Sequence, residues 1–133
     1  MYHIINYLYY LFLNLGFEVF KTKTSHDYGA DLILKINNIS ICVQCKLYYN
    51  HSVGSSSIQE VYSSTKYYKS HAGIVITNSH FTKPAINLAN STNIILWDRT
   101  MLEKLISLNN IDKKNNNGFI LDFNIINNIL NEK

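Results

Sequence analysis

The chain has 133 residues, a size that fits one domain with a real hydrophobic core. Apolar residues make up 47% of it and charged residues 16%, which excludes a disordered tail. A formal net charge of +3 permits nucleic-acid binding without arguing for it, because clustering matters more than the total.

Residues 4–13 are mostly apolar, with Asn6 inside the run. At roughly a dozen residues the run is short of the ~20 that span a bilayer. It also lacks a basic leader and a small-residue cleavage site. A core-facing helix ending before Gly16 is expected, with no membrane association and a cytoplasmic location. Residues 17–24 read as a strand and 25–29 as a polar turn.

Ile36-Asn37-Asn38-Ile39 is apolar, two turn formers, apolar. Asparagine tolerates the left-handed backbone that a two-residue hairpin loop needs. With Asn37 and Asn38 as the loop, Asp31 faces Gln44 and Gly29 faces Lys46. Alternation then puts Leu32, Leu34, Ile36, Ile39, Ile41 and Val43 on one face and Asp31, Gln44 and Lys46 on the other. A carboxylate, an amide and an ammonium at one end of a hairpin form a candidate reaction centre. Cys42 and Cys45 lie three apart on a strand and so point to opposite faces, which argues for packing rather than a metal or disulfide.

Residues 50–57 form a Gly/Ser loop leading to a helix over 58–69, with Ser57 as N-cap and Glu60 completing a capping box. Residues 72–77 are an apolar strand, and Pro84 suits the first turn of the next helix. A strand follows over 93–97 and a helix over 100–108. This βαβαβ order favours parallel pairing. Residues 1–108 are therefore read as the main domain and 109–118 as an Asn-rich linker. Residues 119–133 are read as an amphipathic helix of the same unit.

Gly16-Phe17-Glu18-Val19, Asp27-Tyr28-Gly29-Ala30-Asp31-Leu32 and Val43-Gln44-Cys45-Lys46 together resemble the catalytic domain of Mrr-type restriction endonucleases. These belong to the PD-(D/E)xK nuclease superfamily, with glutamine in place of the second acid. The resemblance continues through Val53-Gly54, Ile58-Gln59-Glu60, residues 73–78, Phe81-Thr82 and Leu96-Trp97-Asp98, covering roughly residues 4–105. It implies an α/β fold with a restriction-endonuclease-like mixed central β-sheet flanked by helices. It also implies a metal-dependent DNA endonuclease with Asp31, Gln44 and Lys46 as catalytic residues. Mg²⁺, or Mn²⁺, is the implied cofactor, held by Asp31, the Gln44 amide oxygen and the Cys45 carbonyl, since Mg²⁺ prefers oxygen ligands.

Related nucleases often carry an acid on the first helix, and here that place is taken by Asn6. Glu18, Asp27 and Glu60 are the acids that could substitute, with Glu60 already assigned to its cap. Gln59 could orient Lys46 or water. Tyr48, Tyr49, His51, Ser55, Ser57, Lys66 and Lys69 are the expected DNA contacts, through phosphate bonds and ring stacking. Double-stranded DNA is the expected partner and a homodimer the expected assembly. Target specificity is expected to come from a partner such as a separate recognition subunit, from elsewhere, or not to exist. The alternatives are a Holliday-junction resolvase-like nuclease and a catalytically weak DNA-binding or sensing module.

Overall fold

The computed structural model describes residues 2–22, 29–48 and 50–114. Four helices and five strands follow in the order α1 (Tyr2–Asn14), β1 (Glu18–Lys21), β2 (Leu32–Ile36), β3 (Ile39–Lys46), α2 (Ser55–Tyr67), β4 (Ala72–Thr77), α3 (Lys83–Asn90), β5 (Ile94–Trp97) and α4 (Arg99–Lys114). The sheet order is β1-β2-β3-β4-β5. Pairing is antiparallel from β1 to β3 and parallel from β3 to β5. This is the mixed sheet that the sequence predicts. No helix among the described residues is long and apolar enough to cross a membrane.

Helix α1 presents Leu8, Leu11 and Phe12, continued by Leu15 just past its end and spaced three and four apart, as one buried stripe. It stops at Gly16, whose φ of 96° closes the end with Gly16 N–H to Leu13 and Phe17 N–H to Phe12 carbonyl bonds. The stripe packs with α4 on Leu32, Leu34, Ile41, Val43, Ile74, Ile76 and Trp97. Phe12 stacks on Trp97 with ring centres 6.0 Å apart. The other sheet face carries Ile33, Cys42, Val75 and Ile94 under Ile58 and Val61 of α2 and Ala85 and Ala89 of α3. The two covered faces explain why every residue of β4 is buried.

The hairpin turn holds Asn37 at φ 48° and Asn38 at φ 69°, and its register pairs Ile36 with Ile39 and Leu32 with Val43, as predicted. Cys42 and Cys45 fall in opposite cores, also as predicted. Burial pushes both thiols up, Cys45 to about 12 with the Asp31 charge as the next cause. Two consequences follow for Cys45. Its thiol should resist alkylation at pH 8 in the native state, measured by mass spectrometry with and without denaturant. A pKa raised on folding favours the native state below the ordinary thiol value. That contribution should fade as pH rises from about 9 towards 12, seen as a falling urea midpoint.

Several element boundaries differ from the sequence reading: β1 covers only Glu18–Lys21, α2 ends at Tyr67 and β5 begins at Ile94, and α2 and α4 shift as follows. Helix α2 starts at Ser55 with Gly54 as N-cap and no side-chain cap, so the Ser57–Glu60 capping box does not form. Ser57 is already inside the helix, where its N–H meets the Gly54 carbonyl and its side chain is buried. Helix α4 runs on to Lys114, through the first part of the predicted linker. Asparagine is only mildly unfavourable within a helix, so Asn109-Asn110 does not stop it. Helix α4 begins one residue earlier than expected, because Asp98 caps it by accepting the Met101 N–H at 3.2 Å. The tail helix predicted over 119–133 lies outside the described residues.

Candidate active site

Strand β3 delivers Gln44, Cys45 and Lys46 to the end of the sheet opposite the hairpin turn, where β4 runs alongside with Lys46 level with Thr77. Alternation along β3 sends Gln44 and Lys46 to the α2 face. Glu60 of α2 meets both: its Oε2 accepts from Gln44 Nε2 at 2.9 Å and lies 3.2 Å from Lys46 Nζ. Gln44 is buried, and its Oε1 has no hydrogen-bond partner. The Lys46 side chain is 22% exposed and that of Glu60 48%, so the cluster opens to solvent on the helix side.

Asp31 enters from β2 in a way the hairpin register alone does not give. The ladder ends at Leu32–Val43, and the Asp31 N–H donates to the Val43 carbonyl at 2.8 Å. Its own carbonyl accepts from the Thr22 N–H at 3.1 Å and the Thr22 hydroxyl at 3.2 Å. Asp31 therefore leaves the position directly opposite Gln44. Its carboxylate Oδ2 instead accepts the Cys45 N–H at 2.8 Å, between the two other motif residues. Gly29, two residues earlier, has φ +84°, and a Cβ there would lie 2.5 Å from the Glu60 carbonyl oxygen. The Asp31 loop is thus pressed onto the helix that carries Glu60.

Asp31, Gln44, Cys45 and Lys46 are brought together as the sequence suggests, and Glu60 joins them. By sequence Glu60 is one of three acids that could substitute, and its spacing from Ser57 assigns it to a cap. Its distance from Lys46 in sequence carries no strand or helix period, so pattern alone could not promote it. Gln59 is the neighbour of the residue that meets Lys46. One helical residue turns the side chain by about 100°, and Gln59 is exposed while its neighbour faces Lys46.

Glu18 is displaced from the site altogether. It pairs with Lys35 beside the hairpin turn, four residues from Asp31, or roughly 13 Å along a strand. Asn6 is exposed on α1 and its Oδ1 accepts from Lys21 Nζ at 2.6 Å. Lys21 is level with Leu32, so Asn6 lies at the Asp31 end of the sheet. Asp27 and Tyr49 lie outside the described residues.

The expected DNA contacts divide into two ends. Tyr48 continues from Lys46, with its N–H bonded to Asn78 Oδ1 at 3.0 Å and its ring 4.1 Å from that of His51. Tyr48, His51, Asn78, His80 and Arg99 line an open polar recess of about 740 Å³ beyond the strand ends. The two loops that frame it are tied by Val53 N–H to His80 carbonyl and Thr82 N–H to Val53 carbonyl bonds. Ser55 is half-buried in the first turn of α2, and Ser57 is too buried to reach a ligand. Lys66 and Lys69 sit at the far end of α2, next to the turn into β4 where Ser70 and His71 touch Ser40. The crossover helix runs back along the sheet, which carries its last turn away from Lys46.

A family model described as restriction endonuclease, of the Mrr catalytic type, matches residues 5–106. No curated protein matches the sequence. Among solved structures, a protein of unknown function, AF1548, superposes with a TM-score of 0.68 at 15% identity, over 80% of this chain and 65% of that one. The DNA modification-dependent restriction endonuclease AspBHI gives 0.64 at 18% identity, over 78% of this chain and 30% of that one. The restriction endonuclease MspJI in complex with a 27-mer oligonucleotide gives 0.57 at 14% identity, over 98% of this chain and 31% of that one. The chain therefore spans less than a third of the length of either restriction enzyme, and these likenesses speak to the fold.

Proposed function

We infer that this chain, which belongs to the Mrr-type restriction endonuclease family, is the catalytic unit of a DNA endonuclease that hydrolyses phosphodiester bonds in restriction or defence. The observation that carries this reading is the convergence of Asp31, Gln44 and Lys46 at one sheet end, within the residues that match the family. Phosphodiester hydrolysis needs a placed water, stabilisation of charge on the phosphate and help for the departing oxygen. Lys46 supplies a positive charge on a largely buried side chain, suited to a phosphate oxygen or the attacking water. The Asp31 carboxylate, fixed by the Cys45 N–H, can accept a proton or a cation.

The donor set fits a hard divalent cation, and the family generally uses one. The Asp31 carboxylate, the Gln44 Oε1 and the Cys45 carbonyl are all oxygen ligands, and Oε1 is a buried acceptor left unsatisfied by protein. No cluster of three His, Cys, Asp or Glu suited to a metal occurs among the described residues. Amide and backbone oxygens would therefore complete the protein's share of the shell, with water and DNA phosphate supplying the rest. Magnesium, with manganese as substitute, is the cation we assign. When bound it would polarise the phosphate and acidify a water.

DNA runs from Lys46 into the polar recess, where Arg99 suits a phosphate and the Tyr48–His51 ring pair suits stacking. Cutting both strands with one site per chain calls for two copies, so a homodimer is the assembly we assign. Target choice would reside in a separate recognition module, and the cytoplasm is the matching compartment.

The test is supercoiled plasmid incubated with the chain and Mg²⁺ or Mn²⁺, with a chelator arm. Nicking or linearisation that stops with chelator is expected. Plasmid left intact under both metals, with DNA still bound, would instead support the sensing module. A preference for four-way junctions over duplex would support the resolvase.

A further inference from the structure

Strand position 44 holds a neutral amide, yet α2 brings a carboxylate to the same spot. Glu60 Oε2 takes both the Gln44 Nε2 at 2.9 Å and the Lys46 Nζ at 3.2 Å. The two ends of an amide differ chemically, and only the nitrogen can donate to a carboxylate. The bond therefore settles which way the amide lies, leaving Oε1 on the side away from Glu60, buried and without a partner.

We propose that Glu60 is a positioning residue that carries, from the helix, the negative charge that position 44 lacks. It turns the Gln44 amide so that Oε1 is offered as an oxygen ligand to a divalent cation, and it holds Lys46 beside that ligand. This deepens the nuclease reading above and rests on it. The same geometry explains the glutamine. A glutamate at 44 would place two carboxylates within hydrogen-bond distance, where like charges disfavour ionisation of both. The charge has moved from the strand to the helix that covers it, and the amide is its complement.

The experiment is calorimetric titration of the metal-free full chain with Mn²⁺, for wild type, Glu60→Gln and the exchanged pair Gln44→Glu/Glu60→Gln. Groups that orient a metal ligand typically change affinity tenfold or more, so Glu60→Gln should weaken Mn²⁺ binding by about tenfold. The exchanged pair, which keeps one acid and one amide in contact, should recover most of that loss. Glu60 is half-exposed, and matched thermal unfolding of the variants shows that they remain folded. A Glu60→Gln variant that binds Mn²⁺ like wild type overturns the proposal, as does an exchanged pair no better than the single variant. Plasmid left intact by a wild type whose Mn²⁺ binding depends on Glu60 sinks the nuclease reading alone. A wild type that binds no Mn²⁺ even with duplex DNA present overturns both.

Discussion

Asp31→Asn should abolish plasmid cleavage while leaving the fold intact, and Lys46→Ala should do the same. The two residues serve the fold in different ways, and the expected stabilities follow from that. The Asp31 carboxylate accepts the Cys45 N–H at 2.8 Å. Truncation to alanine strands that donor, at a cost of about 1–3 kcal/mol. Asparagine keeps an acceptor oxygen in place and removes only the charge. Asp31→Asn should therefore unfold close to wild type, whereas Asp31→Ala should not. Lys46 is held by one pair with a half-exposed Glu60, an arrangement worth about 0–1 kcal/mol at a protein surface. Its loss leaves the Gln44–Glu60 bond standing. Removing a charge that acts on the transition state typically costs about 10²–10³ in rate, far more than either stability change could produce. Plasmid nicking rates and thermal melts on the same preparations separate the two effects. Cleavage at the wild-type rate by folded Asp31→Asn would remove Asp31 from the chemistry.

How much of this was visible in the sequence depends on the range of the interaction. The hairpin was legible because its determinants are local: two asparagines that accept positive φ, and alternation that sets Leu32 against Val43. The opposite faces of Cys42 and Cys45 came from the same alternation. Asp31 is legible in the sequence but lies off the predicted register, since its N–H takes the Val43 carbonyl while its own carbonyl is held by Thr22, just past β1. Glu18, one of the acids that could substitute, lies away from Asp31 for a related reason. Ten residues separate β1 from β2 in the sequence, so nothing local sets their register, and the pairing sends Glu18 to the hairpin end. Glu60 failed differently. Ser57 and Glu60 have the spacing of a capping box, but the helix begins earlier and frees the acid for Gln44 and Lys46. A local motif and a tertiary contact competed for one side chain, and the ion pair with a residue on the neighbouring strand prevailed.

Gly29→Ala should damage fold and site together, and for a reason that joins the two. Gly29 has φ +84°, a conformation that an L side chain adopts only with strain, roughly 1–3 kcal/mol. The new methyl would also lie 2.5 Å from the Glu60 carbonyl oxygen and 2.9 Å from its carbonyl carbon. Backbone atoms of a helix cannot swing aside as a flexible side chain does, so overpacking adds about 1–3 kcal/mol more. The clash has two ways to relax. Either α2 lifts at Glu60, which loosens its grip on Gln44 and Lys46, or the 29–31 segment retreats and withdraws Asp31 from Cys45. Each route separates groups that the site needs together. Cleavage should therefore fall well below what the remaining folded fraction accounts for, assayed far under the melting temperature. Gly54→Ala is the matched control: φ there is −93° and a Cβ would meet nothing within 4 Å. That variant should melt and cut like wild type. If Gly29→Ala lost stability yet its folded fraction cleaved normally, the loop would be a structural prop with no hold on the site.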